Sequence, residues 1–245
     1  LPVSDDNRHK PPEMRAELSA GAKTILDELR LRAKDGISTA VSGLGTKTNH
    51  SAAPRNARPL ELKNLDRILE LDRENLTVKA EAGIKISELK KQLREQGFSL
   101  ALPDLKGSLG GNIAAKTFPE LRGLLLGLDL AMAGGGALVL GGKTIKNVAG
   151  YDAVRLFCGS LGAYGIILSA TLKISSADGR RQAGAAGRQD PENILPAFEP
   201  DDYHRRIKKA LDPANLLNPW IYARVEGIGN SVEGAEIRSS LPPNP

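Results

Sequence analysis

The chain has 245 residues, 40% of them apolar and 4% aromatic, with a net charge of +5 and a single cysteine. That length holds one large domain or two small ones around a core of mostly Leu, Ile, Val and Ala. One cysteine excludes an intramolecular disulfide, and scattered basic residues with so few aromatics argue against a nucleic-acid surface.

The opening residues Leu1–Asp6 lack the basic, apolar and cleavage regions of a signal peptide, and the chain starts without Met, as a trimmed or partial sequence does. Residues 1–14 are polar and contain prolines, which predicts a loose arm. From Ala16 to Lys34 apolar residues recur at helical spacing (Leu18, Ala22, Ile25, Leu26, Leu29, Ala33), and Gly36 stops the helix. Ile37–Val41 alternates as a short strand. Ser42–Asn49 follows as a loop of two glycines, hydroxyls and Lys47, able to present backbone N–H groups and a cation to one anion. Its spacing fits neither a Walker loop nor the dinucleotide fingerprint, and a plain turn is the competing reading.

Pro59–Leu62 reads as a strand edge, Leu65–Glu70 as one or two helical turns, and Leu76–Ala82 as a strand ending at Gly83. Ser87–Glu95 predicts a helix capped by Ser87, with Ile86, Leu89 and Leu93 as its apolar stripe and Gly97 as its terminator. Ser99–Pro103 is extended. Lys106–Asn112 is a second glycine-rich loop, and the small residues after Gly110-Gly111 suit a helix start that approaches an anion. The apolar window Leu124–Leu140 contains Asp129 and three consecutive glycines, so it predicts a hairpin (Leu128–Ala133, Ala137–Leu140) rather than a membrane span. A third glycine-rich stretch, Gly141–Gly165, contains the polar cluster Lys146–Asp152 and runs into the strand Ile166–Leu168. Cys158, in an apolar run, reads as a buried, inert thiol. From Ser175 to Gln189 the composition is that of a linker. Pro200–Leu211 predicts a short helix, Asp212–Pro219 a double turn, and 227–245 a disordered tail. Three such loops at strand edges in one domain suit a long ligand with a diphosphate.

The run Lys146-Asn147-Val148-Ala149-Gly150-Tyr151-Asp152, with Gly159-Ser160-Leu161-Gly162, resembles the FAD-binding subunits of glycolate oxidases in the PCMH-type, vanillyl-alcohol-oxidase-like flavoprotein family. Ser42–Lys47 and Gly107–Ala115 are similar to the family's two pyrophosphate loops, and Asp212-Pro213 with Leu217-Asn218-Pro219 to its C-terminal signature. The resemblance implies an α+β fold: an FAD-binding domain of two α/β lobes, a small sheet carrying the first loop and a larger mixed sheet carrying the others. It implies a flexible arm 1–14, the FAD domain over 15–176, a linker 177–199 in place of a cap (substrate) domain, a returning segment 200–220 and a tail 221–245. Carried over, Gly43, Leu44, Gly45, Thr46 and Lys47 would face the pyrophosphate, and Pro103, Gly107, Ser108, Gly110, Gly111 and Asn112 the diphosphate and ribityl side. Gly150, Tyr151, Asp152, Gly162 and Ile166 would lie along the rest of the cofactor, with Asn218 near the flavin ring. The first loop has no histidine where some relatives attach flavin, and His50 follows it, so FAD is expected to be non-covalent.

The expected role is the FAD-binding subunit of a complex oxidising glycolate or another small 2-hydroxy acid, with a second flavin subunit and an iron–sulfur subunit as partners. It would be cytoplasmic, or peripheral at the inner membrane through those partners, with no transmembrane segment and no metal. Lys47, Lys106 and Lys146 are candidates to stabilise reduced flavin. His204, Arg205 and Arg206 read as a solvated helix face, and no catalytic residue is assigned. The alternative is a scaffold subunit that keeps the FAD fold without its catalysis.

Overall fold

A computed structural model of the chain describes residues 18–47, 53–118, 121–142, 148–177 and 200–222, the side chains of 148–152 excepted. The arm 1–14, the residues Thr48–His50, Lys146 and Asn147, and most of the linker and tail lie outside the described residues.

Helix α1, Ala20–Lys34, begins where Ser19 Oγ accepts the Ala22 N–H at 3.2 Å, and ends before Gly36 at φ +63°. Its buried stripe is Ala22, Ile25, Leu26 and Leu29, the spacing expected. Strand β1 (Thr39–Ser42) pairs in parallel with β2 (Arg58–Glu61) in a small sheet. Arg32 ties α1 to that sheet by donating to the carbonyls of Arg58 (3.0 Å) and Pro59 (2.9 Å).

The large sheet contains β3 (Ile68–Asp72), β4 (Thr77–Glu81), β6 (Leu125–Ala131), β7 (Ala137–Gly141) and β8 (Ile166–Lys173), in the order β3-β4-β8-β6-β7. Every pairing in it is antiparallel, not mixed as expected; the parallel pair belongs to the small sheet. The expected helical turn at Leu65–Glu70 is also corrected. Leu65 closes a turn onto Leu62, and from Ile68 onward the backbone pairs with β4. A run this short has too few residues to separate the two periods, and the open edge of β4 decides. The hairpin β6–β7 turns over Gly134–Gly136, with Gly135 at φ +73°, and β6 is buried throughout.

Helix α2, Ile86–Glu95, starts one residue earlier than expected. Its cap position is Lys85, with no side-chain cap bond, so Ser87 does not cap it. The Ile86 N–H instead donates to the carbonyl of Gly107, which anchors this end on the second loop. The short pair β5 (Phe98–Ser99) and β9 (Ser175–Ser176), α3 (Leu109–Ala115), α4 (Leu121–Leu124), α5 (Val148–Phe157) and α6 (Asp202–Leu211) complete the described elements, with a 3-10 turn at Pro219–Ile221.

The described residues form two apolar clusters. The larger joins the sheet to α2, α3 and α5; the smaller joins α1, β1 and Leu60–Leu65 to Ala131, Ile166, Leu168 and Leu217. β8 serves both, with Ile167, Ala170 and Leu172 in the first and Ile166 and Leu168 in the second. A register shift against β6 between Asp129 and Leu130 lets the strand change sides there. The functional cleft opens where the two clusters meet.

Candidate functional site

Three loops converge on one cleft of about 470 Å³, solvent included. Its walls are Val41, Leu62, Ala114, Ala115, Leu161, Ile166 and Ile167, and polar groups enter at Ser42, Gly43 and Lys47, beside the small residues Gly110, Gly111 and Gly162.

Glycine is what allows the loops to meet. A Cβ on Gly43 would stand 2.2 Å from Ser108 Oγ, and one on Gly107 would stand 2.2 Å from Thr46 Oγ1. The first and second loops therefore touch backbone to side chain, with no room for a methyl group. A Cβ on Gly162 would meet Asn218 Nδ2 at 3.1 Å, which joins the third loop to the C-terminal segment.

The first loop follows the end of β1, where Ser42 O accepts the Leu62 N–H. Beyond it, the N–H groups of Gly43, Leu44, Gly45 and Thr46 have no partner among the described residues. Gly45 takes φ +70°, and Lys47 is buried beside them, 7% exposed. Successive backbone N–H groups in such a turn can receive an anion; of this loop Ser42, Gly43 and the buried cation Lys47 line the cleft, whereas Gly45 and Thr46 are exposed outside its lining. Of the three candidate lysines, Lys47 lines the cleft; Lys106 is exposed on the second loop and Lys146 is outside the described residues.

The second loop works differently from its sequence reading. Ser108 caps α3 by accepting the Gly111 N–H at 3.2 Å. The Leu109 N–H donates to Ile84 O and the Gly110 N–H to Ala82 O, so the helix start is held on the chain's own backbone. Asn112 is fully buried, and its amide donates to Lys106 O and Ser108 O and accepts from Thr117 Oγ1. It shapes the loop from inside, and the surface offered to the cleft is the small-residue face of Gly110 and Gly111.

The remaining expected residues divide. Ile166 and Gly162 line the cleft. Gly150, Tyr151 and Asp152 lie in the first turns of α5, and their side chains are outside the described residues. Pro103 is buried and does not border the cleft. Asn218 stands behind the wall: its Oδ1 accepts the Val41 N–H at 2.7 Å and its Nδ2 donates to Leu161 O at 2.7 Å. Cys158 is away from the cleft and half-buried rather than buried as expected, and burial pushes its thiol upward against the nearby cations Arg122, Lys116 and Arg155. His204 is tied to Asp201 at the start of α6, and Arg206 is exposed.

Sequence reasoning missed the apolar walls Leu62, Ala114, Ala115 and Leu161. It singled out Asp212 only within the C-terminal signature and missed Lys208, with which Asp212 forms a buried pair 2.5 Å apart. Burial pushes the Lys208 ammonium down, and the Asp212 carboxylate opposes that. The run Asp212-Pro213 was the one available signal, because an Asp four residues after a Lys in a helix can meet it on one face.

The decisive comparison is with family models: residues 19–141 match that of the FAD binding domain. The chain belongs to the PCMH-type FAD-binding family. FAD is accordingly its cofactor. The glycolate oxidase subunit GlcD of Bacillus subtilis is 31% identical over 125 residues, 47% of this chain and 27% of that one. A probable mitochondrial D-2-hydroxyglutarate dehydrogenase of Oryza sativa is 34% identical over 215 residues, 74% of this chain and 38% of that one. A D-lactate dehydrogenase of Archaeoglobus fulgidus is 32% identical over 117 residues, 43% of this chain and 26% of that one. The chain thus spans between about a quarter and two fifths of the length of these relatives. Among solved structures, alkyldihydroxyacetonephosphate synthase shares the fold, with a TM-score of 0.52 and 22% identity over 63% of this chain and 32% of that one.

The residues present fit the cofactor. Gly43 and the buried cation Lys47 at the cleft suit a diphosphate, and the apolar walls suit a planar ring system. Among the described residues, no helix is long and apolar enough to cross a membrane, and no group of three or more His, Cys, Asp or Glu side chains could hold a metal ion.

Proposed function

We propose that this chain is the flavin domain of a glycolate- or 2-hydroxyacid-oxidising enzyme, binding FAD non-covalently. The observation that carries the reading is the loop Gly43–Lys47: its Gly43–Thr46 N–H groups have no partner among the described residues, and Gly43 and the buried Lys47 line the apolar cleft. In this reading Gly43, Leu44, Gly45 and Thr46 donate to the diphosphate and Lys47 balances its charge. Gly107, Ser108 and Asn112 keep the second loop pressed against the first, and Gly110, Gly111, Gly162 and Ile166 leave space for the flat parts of the ligand. When bound, the flavin supplies a two-electron acceptor, and the chain supplies its orientation and the electrostatics around it. Non-covalent binding is supported by the cleft lining, which contains no histidine, cysteine or tyrosine among the described residues.

The names of the relatives, which include a glycolate oxidase subunit, D-lactate dehydrogenases and D-2-hydroxyglutarate dehydrogenases, support a small 2-hydroxy acid as substrate at the level of the whole enzyme. A second flavin subunit and an iron–sulfur subunit are proposed as partners, with the location cytoplasmic or peripheral at the inner membrane through them. The division at 15–176 and 200–220, with 177–199 as a linker, belongs to the same proposal.

The test is a visible absorption spectrum of purified protein, before and after heat denaturation and filtration. A flavin spectrum near one per chain, with the colour passing the filter, is the expected result. Colour retained with the protein overturns non-covalent binding. No flavin after incubation with excess FAD overturns the cofactor reading and leaves the scaffold alternative.

A further inference from the structure

The third loop holds an unusual backbone at the wall of the cleft. Leu161, a buried non-glycine residue, takes φ +53°, and Gly162 follows at φ +74°. Two successive left-handed residues persist only where their surroundings over-determine them. The Ala163 N–H closes the turn on Ser160 O and the Leu161 N–H donates to Ala114 O, and the far end of the chain supplies the side-chain contacts. Asn218 Nδ2 donates to the Leu161 carbonyl at 2.7 Å, and Lys208 Nζ donates to the Ala163 carbonyl at 2.9 Å. The same two side chains reach onward. Asn218 Oδ1 accepts the N–H of Val41, on the strand that leads into the first loop, and Lys208 Nζ also bonds Leu217 O and Asp212 Oδ2. Asp212 in turn accepts the N–H groups of Leu216 and Leu217. The Leu216 carbonyl accepts from Thr39 N, and Asn218 N donates to Thr39 O.

We infer that Asn218 and Lys208 are positioning residues, which latch the C-terminal segment across the back of the cleft and hold Leu161–Ala163 and Val41 in the shape that receives the cofactor. Neither side chain lines the cleft; both act through the backbone of residues that do, or that adjoin them. The inference rests on the flavin reading for the identity of the ligand, and on the hydrogen bonds alone for the latch. A consequence is reciprocal coupling: a bound ligand protects the C-terminal segment, and loss of that segment's contacts weakens binding.

The test uses the full chain with Asn218→Gly, which deletes both amide contacts at a backbone φ of +42° that glycine accepts without strain. Asn218→Asp is the second variant; it keeps an acceptor for Val41 and removes the donor to Leu161. FAD binding is followed by flavin fluorescence, thermal midpoints are taken without ligand, and amide hydrogen exchange is read over 159–165. The expected result is a fall in FAD affinity of roughly tenfold or more, with faster exchange at 159–165 and unchanged exchange in β6. A residue that only stabilises the fold lowers the unliganded midpoint and leaves FAD affinity and loop exchange as in the wild type; that outcome overturns the latch. If wild-type protein takes up no FAD, the flavin reading fails, and the exchange comparison still decides the latch by itself. Should Asn218→Gly fail to fold, Asn218→Asp decides by the same readouts.

Discussion

Gly43 and Lys47 do different jobs within five residues. Gly43 is small so that Ser108 can approach; Lys47 is charged, buried and lines the cleft. Gly43→Ala forces the Cβ into Ser108 Oγ and pushes the two loops apart. The expected effect is a loss of FAD affinity of roughly tenfold or more, corresponding to about 1.4 kcal/mol, read by fluorescence titration. Lys47→Met keeps the bulk and removes the charge. A charge-assisted hydrogen bond contributes about 1.5–3 kcal/mol, so the dissociation constant is expected to rise about tenfold to a hundredfold. Unchanged affinity in both variants places the diphosphate elsewhere.

At the scale of elements, a buried carboxylate ties the start of α1 to the large sheet, beside the apolar packing they share. Glu81 on β4 is 1% exposed; it accepts from Ser19 Oγ at 2.6 Å and from the Arg67 backbone N–H at 3.0 Å, with the Arg67 guanidinium at 3.3 Å. Burial alone pushes its carboxyl up, but the bonds from Arg67 and Ser19 outweigh that, and the group stays below its ordinary 4.5. A carboxyl depressed on folding adds stability that is complete above 4.5 and is lost as pH falls through the folded value. Urea midpoints are therefore expected to fall on acidification below pH 4.5, and Glu81→Gln is expected to remove that part of the fall. The variant also loses about 1–3 kcal/mol at pH 7. A pH profile identical in the two proteins sinks this account. Gly83, beside the same carboxylate, shows how tightly α1's neighbours are packed: a Cβ there would stand 2.0 Å from Leu62 O.

The whole molecule brings residues far apart in the chain, Val41, Gly111, Leu161 and Asn218, to one place. Ligand binding in such a cleft bridges both apolar clusters and stabilises the folded state by mass action. Free FAD at a hundred times its dissociation constant adds about 2.7 kcal/mol, which for a chain of this size raises the thermal midpoint by about 5–11 °C. Differential scanning fluorimetry with FAD, and with riboflavin as the ligand lacking phosphates, measures it. Equal shifts with both ligands contradict a diphosphate subsite at Gly43–Lys47.

The sequence by itself determined the local pieces. Helix α1, the hairpin β6–β7 and the helix α6 were legible because their periodicity and punctuation agree over ten or more residues. So were the three glycine-rich loops, since a glycine at a required turn cannot be mistaken for a core residue, and the family resemblance followed from them. The tertiary structure alone decided what long-range pairing controls. Ile68–Asp72 became a strand because β4 has an edge to fill. Ser87 lost its cap role because Gly107 holds the start of α2, and the large sheet proved wholly antiparallel. The N–H groups of Leu109 and Gly110 turned inward to Ile84 and Ala82, and the amides of Asn112 and Asn218 went to protein partners rather than to the cleft. Local propensity reports what a residue can offer; which group accepts the offer depends on the backbone that packing brings within about 3 Å of it.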